Sequence, residues 1–134
     1  MEKVRIDVYY TGNNYCAHAP ILLGCVSTGV TLSDIKKNIR EAIEFHLESS
    51  LEDGDTIPEV FTREYELEFK LSTEALLNAD SDVFTKAALS RITGINQRQL
   101  WHYASGMRKP RPAQRKRIED GLHSLGKELL NIGV

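Results

Sequence analysis

FTKAALSRITGINQRQLWHYASGMRKPRPAQRKR, residues 84–117, is the stretch that decides how this 134-residue chain is read. Phe84, Ala88, Leu89 and Ile92 recur at helical spacing, Thr93-Gly94 interrupts the run, and Asn96 opens a second helical pattern through Leu100 and Tyr103. Two short helices joined by a tight turn containing glycine are the sequence form of a helix-turn-helix. The second helix carries Gln97, Arg98, Gln99 and His102 on its N-terminal turns, where side chains that read base edges would stand. A Gln amide matches the donor and acceptor of adenine, and an Arg fork matches guanine. Gly106 ends that helix, and Met107-Arg108-Lys109-Pro110-Arg111-Pro112 follows with cations where such a domain meets the phosphate backbone. Trp101, on the same helix, reads as a packing residue.

Thr85-Lys86-Ala87-Ala88-Leu89, Gly94-Ile95-Asn96, Leu100, Tyr103, Gly106 and Pro110 together resemble the lambda-repressor/Cro type of helix-turn-helix over roughly the last third of the chain. The resemblance implies base contacts from Gln97, Arg98, Gln99 and His102. It also implies phosphate contacts from Thr85, Lys86, Asn96, Arg108, Lys109, Arg111 and Arg115. Lys86 stands where that family usually has Gln, which keeps a phosphate contact and loses a hydrogen-bonded pairing with the next helix. Thr93 stands where Leu is more usual.

The net charge of −2 conceals a division. Up to Asp80 there are seven Lys+Arg against fifteen Asp+Glu, and from Ser81 onward ten against four, which are local balances of −8 and +6. Such asymmetry implies two modules with different partners. The basic charge is concentrated further, since Arg98 to Arg117 holds seven cations and no acid. No stretch is apolar for long enough to span a membrane, and MEKVRIDV lacks the apolar core of a signal peptide, so a cytoplasmic protein is expected. Cys16 and Cys25 are too few for a disulfide scaffold and read as reduced structural thiols.

Ahead of the basic tail, Val4, Ile6, Val8 and Tyr10 alternate with polar residues at the period of a half-buried strand, and Thr11-Gly12-Asn13-Asn14 supplies a hairpin turn into Tyr15–Ala19. A third strand is expected within Ile21–Gly29. Thr31, with Asp34 three residues on, begins a helix whose Leu32, Ile35, Ile39, Ala42, Ile43 and Leu47 share one side, and which should end near Ser50. Glu52 to Pro58 reads as a polar linker. A last strand follows, with Tyr65, Leu67, Phe69 and Leu71 inward and Glu64, Glu66 and Glu68 outward. The fold class is therefore α+β: three strands, a helix and a strand over residues 1–71, then an all-α domain over 72–134.

Pro20, Leu22, Gly24-Cys25, Gly29, Thr31 and the Glu41-Ala42 pair resemble the antitoxin module of HicB proteins over roughly the first half of the chain, with Ile21 and Leu23 replacing the Asp and second Pro of that pattern. The resemblance implies a partial, truncated RNase H fold without its nuclease centre. It further implies an occluded partner, HicA, a small basic ribonuclease that cuts messenger RNA, and a tail that binds operator DNA as a dimer or higher oligomer. An acidic module would attract a basic toxin.

Enzymatic readings are weaker, and neither an enzyme nor a cofactor is expected. Asp7 lies on the first strand, where an RNase H-like nuclease would put a metal ligand, yet a two-metal centre needs several converging acids and no second one can be set beside it. Cys16, His18 and Cys25 lack a fourth zinc ligand and a recognised spacing. His46 follows an apolar stripe and reads as partly buried packing.

Beyond Pro112, Ile118, Leu122, Leu125, Leu129 and Ile132 repeat at spacings of four and three, the seam of a coiled pair, and Gly121 and Gly126 would permit close approach by another helix. A dimer built there would set two recognition helices about 34 Å apart on a palindromic site. The leading reading is a HicB-type antitoxin of a type II toxin-antitoxin system that also represses its operon. Its alternatives are a stand-alone transcriptional repressor whose first module oligomerises or binds something else, and an RNase H-like nuclease with a DNA-targeting tail.

Overall fold

Strand β1 (Glu2–Tyr10) follows the alternation of its sequence: Val4, Ile6 and Val8 are buried, while Lys3, Arg5 and Tyr9 on the opposite face are exposed. The computed structural model describes residues 1–79, 81 and 83–134. At the end of β1 the Thr11 N–H donates to the Asn14 carbonyl at 2.9 Å, with Gly12 at φ +99°, and the chain returns as β2 (Tyr15–His18). The register pairs Asp7 with His18 and Tyr10 with Tyr15, antiparallel. A knot of turn hydrogen bonds among Ala19, Leu22 and Cys25 then leads into β3 (Val26–Gly29), antiparallel to β2. Leu22 and Cys25 are buried in that turn, which is why an apolar Ile21-Leu22-Leu23 sequence serves as a connection.

Helix α1 (Leu32–Glu52) begins where Thr31 Oγ1 accepts the Asp34 N–H at 3.0 Å. Its stripe of Ile35, Ile39 and Ile43 is fully buried. The entry is tight, since a Cβ on Gly29 would lie 2.8 Å from the Ile35 nitrogen. The helix runs to Glu52, a little past the end expected at Ser50, and closes on Asp53 with Gly54 left-handed behind it. Within the segment read as a linker and its continuation, a short 3-10 turn at Glu59–Thr62 buries Phe61, which the sequence did not reveal. Strand β4 (Tyr65–Leu71) alternates as expected and lies parallel to β1. The four-stranded sheet has the order β3-β2-β1-β4 and is mixed, so the fold is α+β, sheet first and helices after.

The chain forms two compact units, Met1–Ala75 and Leu76–Val134. They part within helix α2 (Thr73–Ala79), whereas the sequence reading put the division after Leu71. The second unit contains α3 (Lys86–Thr93), α4 (Gln97–Ala104) and α5 (Pro112–Leu130). Its core is Leu77, Leu89, Ile95, Leu100, Tyr103, Ala104 and Ile118, with Leu76, Phe84 and Leu122 packed at the margin.

Two expectations about α5 change. Ile118, read as part of a dimer seam, is 1% exposed in the core of its own unit, and Leu122 packs beside it. Ile132 lies past the helix end. What remains of the seam is Leu125, half-buried, and Leu129, exposed. Gly121 does admit a close helix, but that helix is α3: a Cβ there would sit 3.0 Å from the Ile92 carbonyl oxygen.

Candidate nucleic-acid interface

Three side chains fix the two helices and the turn between them. Thr85 caps α3 by accepting the Ala88 N–H at 3.0 Å, and Asn96 caps α4 by accepting the Gln99 N–H at 2.8 Å. Thr93, in the place where Leu is more usual, is buried; its hydroxyl donates to the Leu89 carbonyl at 2.7 Å and accepts the Ile95 N–H at 3.2 Å, so its polarity is satisfied inside the turn. Gly94 takes the left-handed conformation at φ +76° that ends α3. Arg117 reaches from α5 to the Gly94 carbonyl at 3.1 Å, and so part of the basic run is structural.

The turn aims α4 so that Leu100, Tyr103 and Ala104 face the core. The four side chains read as base-contacting then separate. Gln97 and Arg98 are exposed. Gln99 is half-buried and donates from Nε2 to the Tyr103 hydroxyl at 2.8 Å. His102 is also half-buried, with Nδ1 enclosed, and its backbone carbonyl accepts from the Ser105 hydroxyl and the Arg108 N–H, both at 3.2 Å. The outward face is therefore Gln97, Arg98 and Trp101, three and four residues apart on one side of the helix. Trp101 had read as packing, yet it is 59% exposed. Its spacing from Arg98 and Gln97 was the available signal.

Lys86 departs from the phosphate contact expected of it. It is 8% exposed, with its ammonium 3.5 Å from the Leu77 carbonyl at the end of α2 and 4.8 Å from the centroid of the Trp101 ring. Burial lowers its pKa from the ordinary lysine value. Arg108, Lys109, Arg111 and Arg115 are exposed, and together with Arg98 they are engaged by no carboxylate among the described residues. Thr85 and Asn96 use their oxygens as caps, and among the described residues neither the Thr85 hydroxyl proton nor the Asn96 amide is donated. The surface can offer a planar fork, an amide and an indole on one helix, flanked by exposed cations.

In the first unit, Asp7 does not stand open as a metal ligand. Its carboxylate takes two hydrogen bonds from Arg5, which lower its pKa against the opposing effect of burial. Cys16 and His18 share the outer sheet face through their register with Tyr9 and Asp7, and the His18 ring stacks on Tyr9. The Cys25 thiol is buried, and burial pushes its pKa up. Among the described residues no three His, Cys, Asp or Glu side chains converge so as to hold a metal ion, and no helix is long and apolar enough to cross a membrane.

Residues 4–93 match a family model described as HicB_like antitoxin of bacterial toxin-antitoxin system. The match takes in the sheet from Val4 onward and reaches the end of α3, stopping before α4. The chain is also similar to an uncharacterized 14.9 kDa protein in the rep-hol intergenic region of Haemophilus phage HP1 (strain HP1c1), 43% identical over 53 residues, which is 40% of this chain and 40% of that protein. The chain thus aligns with about two fifths of that relative's length. No solved structure matches.

Proposed function

The chain belongs to the HicB-like antitoxin family of bacterial toxin-antitoxin systems, and from that membership we propose an antitoxin of two parts. Its strand-bearing unit neutralises a HicA-like, mRNA-cleaving toxin, and its helical unit represses the operon by binding operator DNA as a homodimer or higher oligomer. One observation carries the DNA half: Gln97 and Arg98 stand exposed on the outward side of α4, next to the exposed cations Arg108, Lys109, Arg111 and Arg115. A helix entering the major groove reads bases with its first turns, while cations at its ends hold phosphates. This face agrees with the lambda-repressor/Cro type of helix-turn-helix.

The order β3-β2-β1-β4, with α1 between β3 and β4, supports a truncated RNase H-like module. We assign that module no catalysis, because the carboxylate a two-metal centre would need, Asp7, is bound up by Arg5. The acidic balance before Ser81 suits a basic toxin. A stand-alone repressor is the second reading, favoured by the relative that is a phage protein.

The deciding experiment titrates the purified chain into a duplex carrying its own upstream region, at low ionic strength and again with rising salt, beside an unrelated duplex. Preferential binding with a steep loss on adding salt is expected. Equal binding to both duplexes would sink the operator reading. Co-expression with the product of an adjacent short basic reading frame tests the other half: a co-purifying complex and restored growth are expected, and the absence of both leaves the stand-alone repressor.

A further inference from the structure

We propose that Trp101 is a specificity-determining contact of this DNA face, its indole seating against the C5-methyl group of a thymine; the inference rests on the operator-binding reading above. An exposed aromatic residue by itself says little, since scattered apolar side chains are normal on protein surfaces. Here the position, the orientation and the chemistry agree. Trp101 shares the outward side of α4 with Gln97 and Arg98, at four and three residues. Gln97 is suited to adenine and Arg98 to guanine, and neither reads a methyl group. In the major groove thymine is the base that presents one, and the natural partner for it is an apolar side chain.

The indole is also held. The Lys86 ammonium lies 4.8 Å from its centroid over one ring face, and that ammonium is anchored in turn to the Leu77 carbonyl at 3.5 Å. A buried cation is a costly support, and the residue it supports is still 59% exposed. A side chain fixed in this way loses little rotamer freedom when it docks. Lys86, read from sequence as a phosphate contact, thereby becomes a positioning residue behind the reading surface.

The chain has one tryptophan, so its indole emission reports on this position alone. The probe is a duplex recovered from a random pool by selection on the full-length chain, prepared with each thymine in turn replaced by uracil, which keeps Watson–Crick pairing and lacks only the methyl group. Binding of the thymine duplex should change the emission. At one thymine of the selected site, uracil should weaken binding about fourfold, the worth of one buried methyl group. Trp101→Ala should bind the thymine duplex at least fourfold more weakly, show no discrimination at that thymine, and keep the wild-type salt slope. If uracil at every thymine leaves wild-type binding unchanged, or if Trp101→Ala shows the same uracil penalty, the inference is overturned while operator binding stands. If no duplex is retained from the pool at low ionic strength, both fall. An emission change that follows protein concentration without DNA, and does not respond to DNA, would assign Trp101 to contact between copies and overturn it too. The uracil series uses the unaltered protein, so the result does not depend on whether the variant folds.

Discussion

Arg5 grips both oxygens of Asp7, Nε to Oδ1 at 2.7 Å and Nη2 to Oδ2 at 3.0 Å, from a position two residues away on the same face of β1. His18 Nε2 stands 3.7 Å from the same Oδ2. Asp7 is 6% exposed, on a strand face whose neighbours Arg5 and Tyr9 are open to solvent. The Arg5 hydrogen bonds hold its pKa below the ordinary carboxylate value in spite of burial. A carboxylate depressed on folding adds stability that is complete above its unfolded pKa near 3.9 and is lost as the pH falls through the folded value. Asp7→Asn should therefore lower stability at pH 7, modestly because Arg5 is solvated. Urea midpoints taken from pH 7 down to pH 2.5 should show the two proteins converging at the acid end. A gap that does not change with pH would mean that the pair contributes nothing in solution.

On the DNA face, Arg98 and Lys109 should fail in different ways. Arg98 is exposed on α4 with its fork uncommitted among the described residues, whereas Lys109 follows the helix in the loop before Pro110. Arg98→Ala should cost about 1–3 kcal/mol at the preferred site and relax the choice of one base. Lys109→Ala should weaken all sequences alike and flatten the salt slope by about one unit. Competition binding at several salt concentrations separates the two effects. Wild-type behaviour from both variants would remove the assignment of this face.

These contrasts follow from what the sequence could and could not disclose. Val4, Ile6 and Val8 at period two, and Ile35, Ile39 and Ile43 at period four, were legible because burial on one face imposes the period directly. The half-buried place of Gln99 had a signal, since it lies four residues before Tyr103, a core residue, and must share its side of the helix. Lys86 carried no such signal. Its direction depends on the Leu77 carbonyl, which becomes available only once α2 ends nearby. The seam on α5 was legible as a stripe, but an apolar stripe does not say which surface covers it.

That ambiguity separates Ile118 from Leu129. Ile118 is 1% exposed and surrounded by its own unit, so Ile118→Ala should cost about 2–4 kcal/mol in unfolding free energy. Leu129 is 55% exposed near the end of α5, and Leu129→Ala should alter the stability of the single chain by no more than about 0.5 kcal/mol. If the outer part of the stripe joins two copies, the second variant should instead weaken self-association, visible as a rise in the dimer dissociation constant by sedimentation. Unchanged association in Leu129→Ala would move the contact between copies elsewhere.

Lys86 offers a test of its placement that needs no DNA. Its ammonium has a neutral carbonyl and an aromatic face for company, and burial lowers its pKa from the ordinary 10.5. Between the folded and the unfolded pKa the unfolded chain binds more protons, so stability should rise with pH across that window, up to about 10.5. Lys86→Met keeps the apolar stem and has no proton to bind, and its stability should lack this rise. Other lysines and tyrosines titrate in both proteins, so the difference between the two curves isolates position 86. Denaturant midpoints from pH 7 to pH 10.5 should show the wild type gaining on the variant. Parallel curves would mean that the ammonium is solvated and free to swing outward, and the phosphate contact that the sequence implied for Lys86 would then replace its role beneath Trp101.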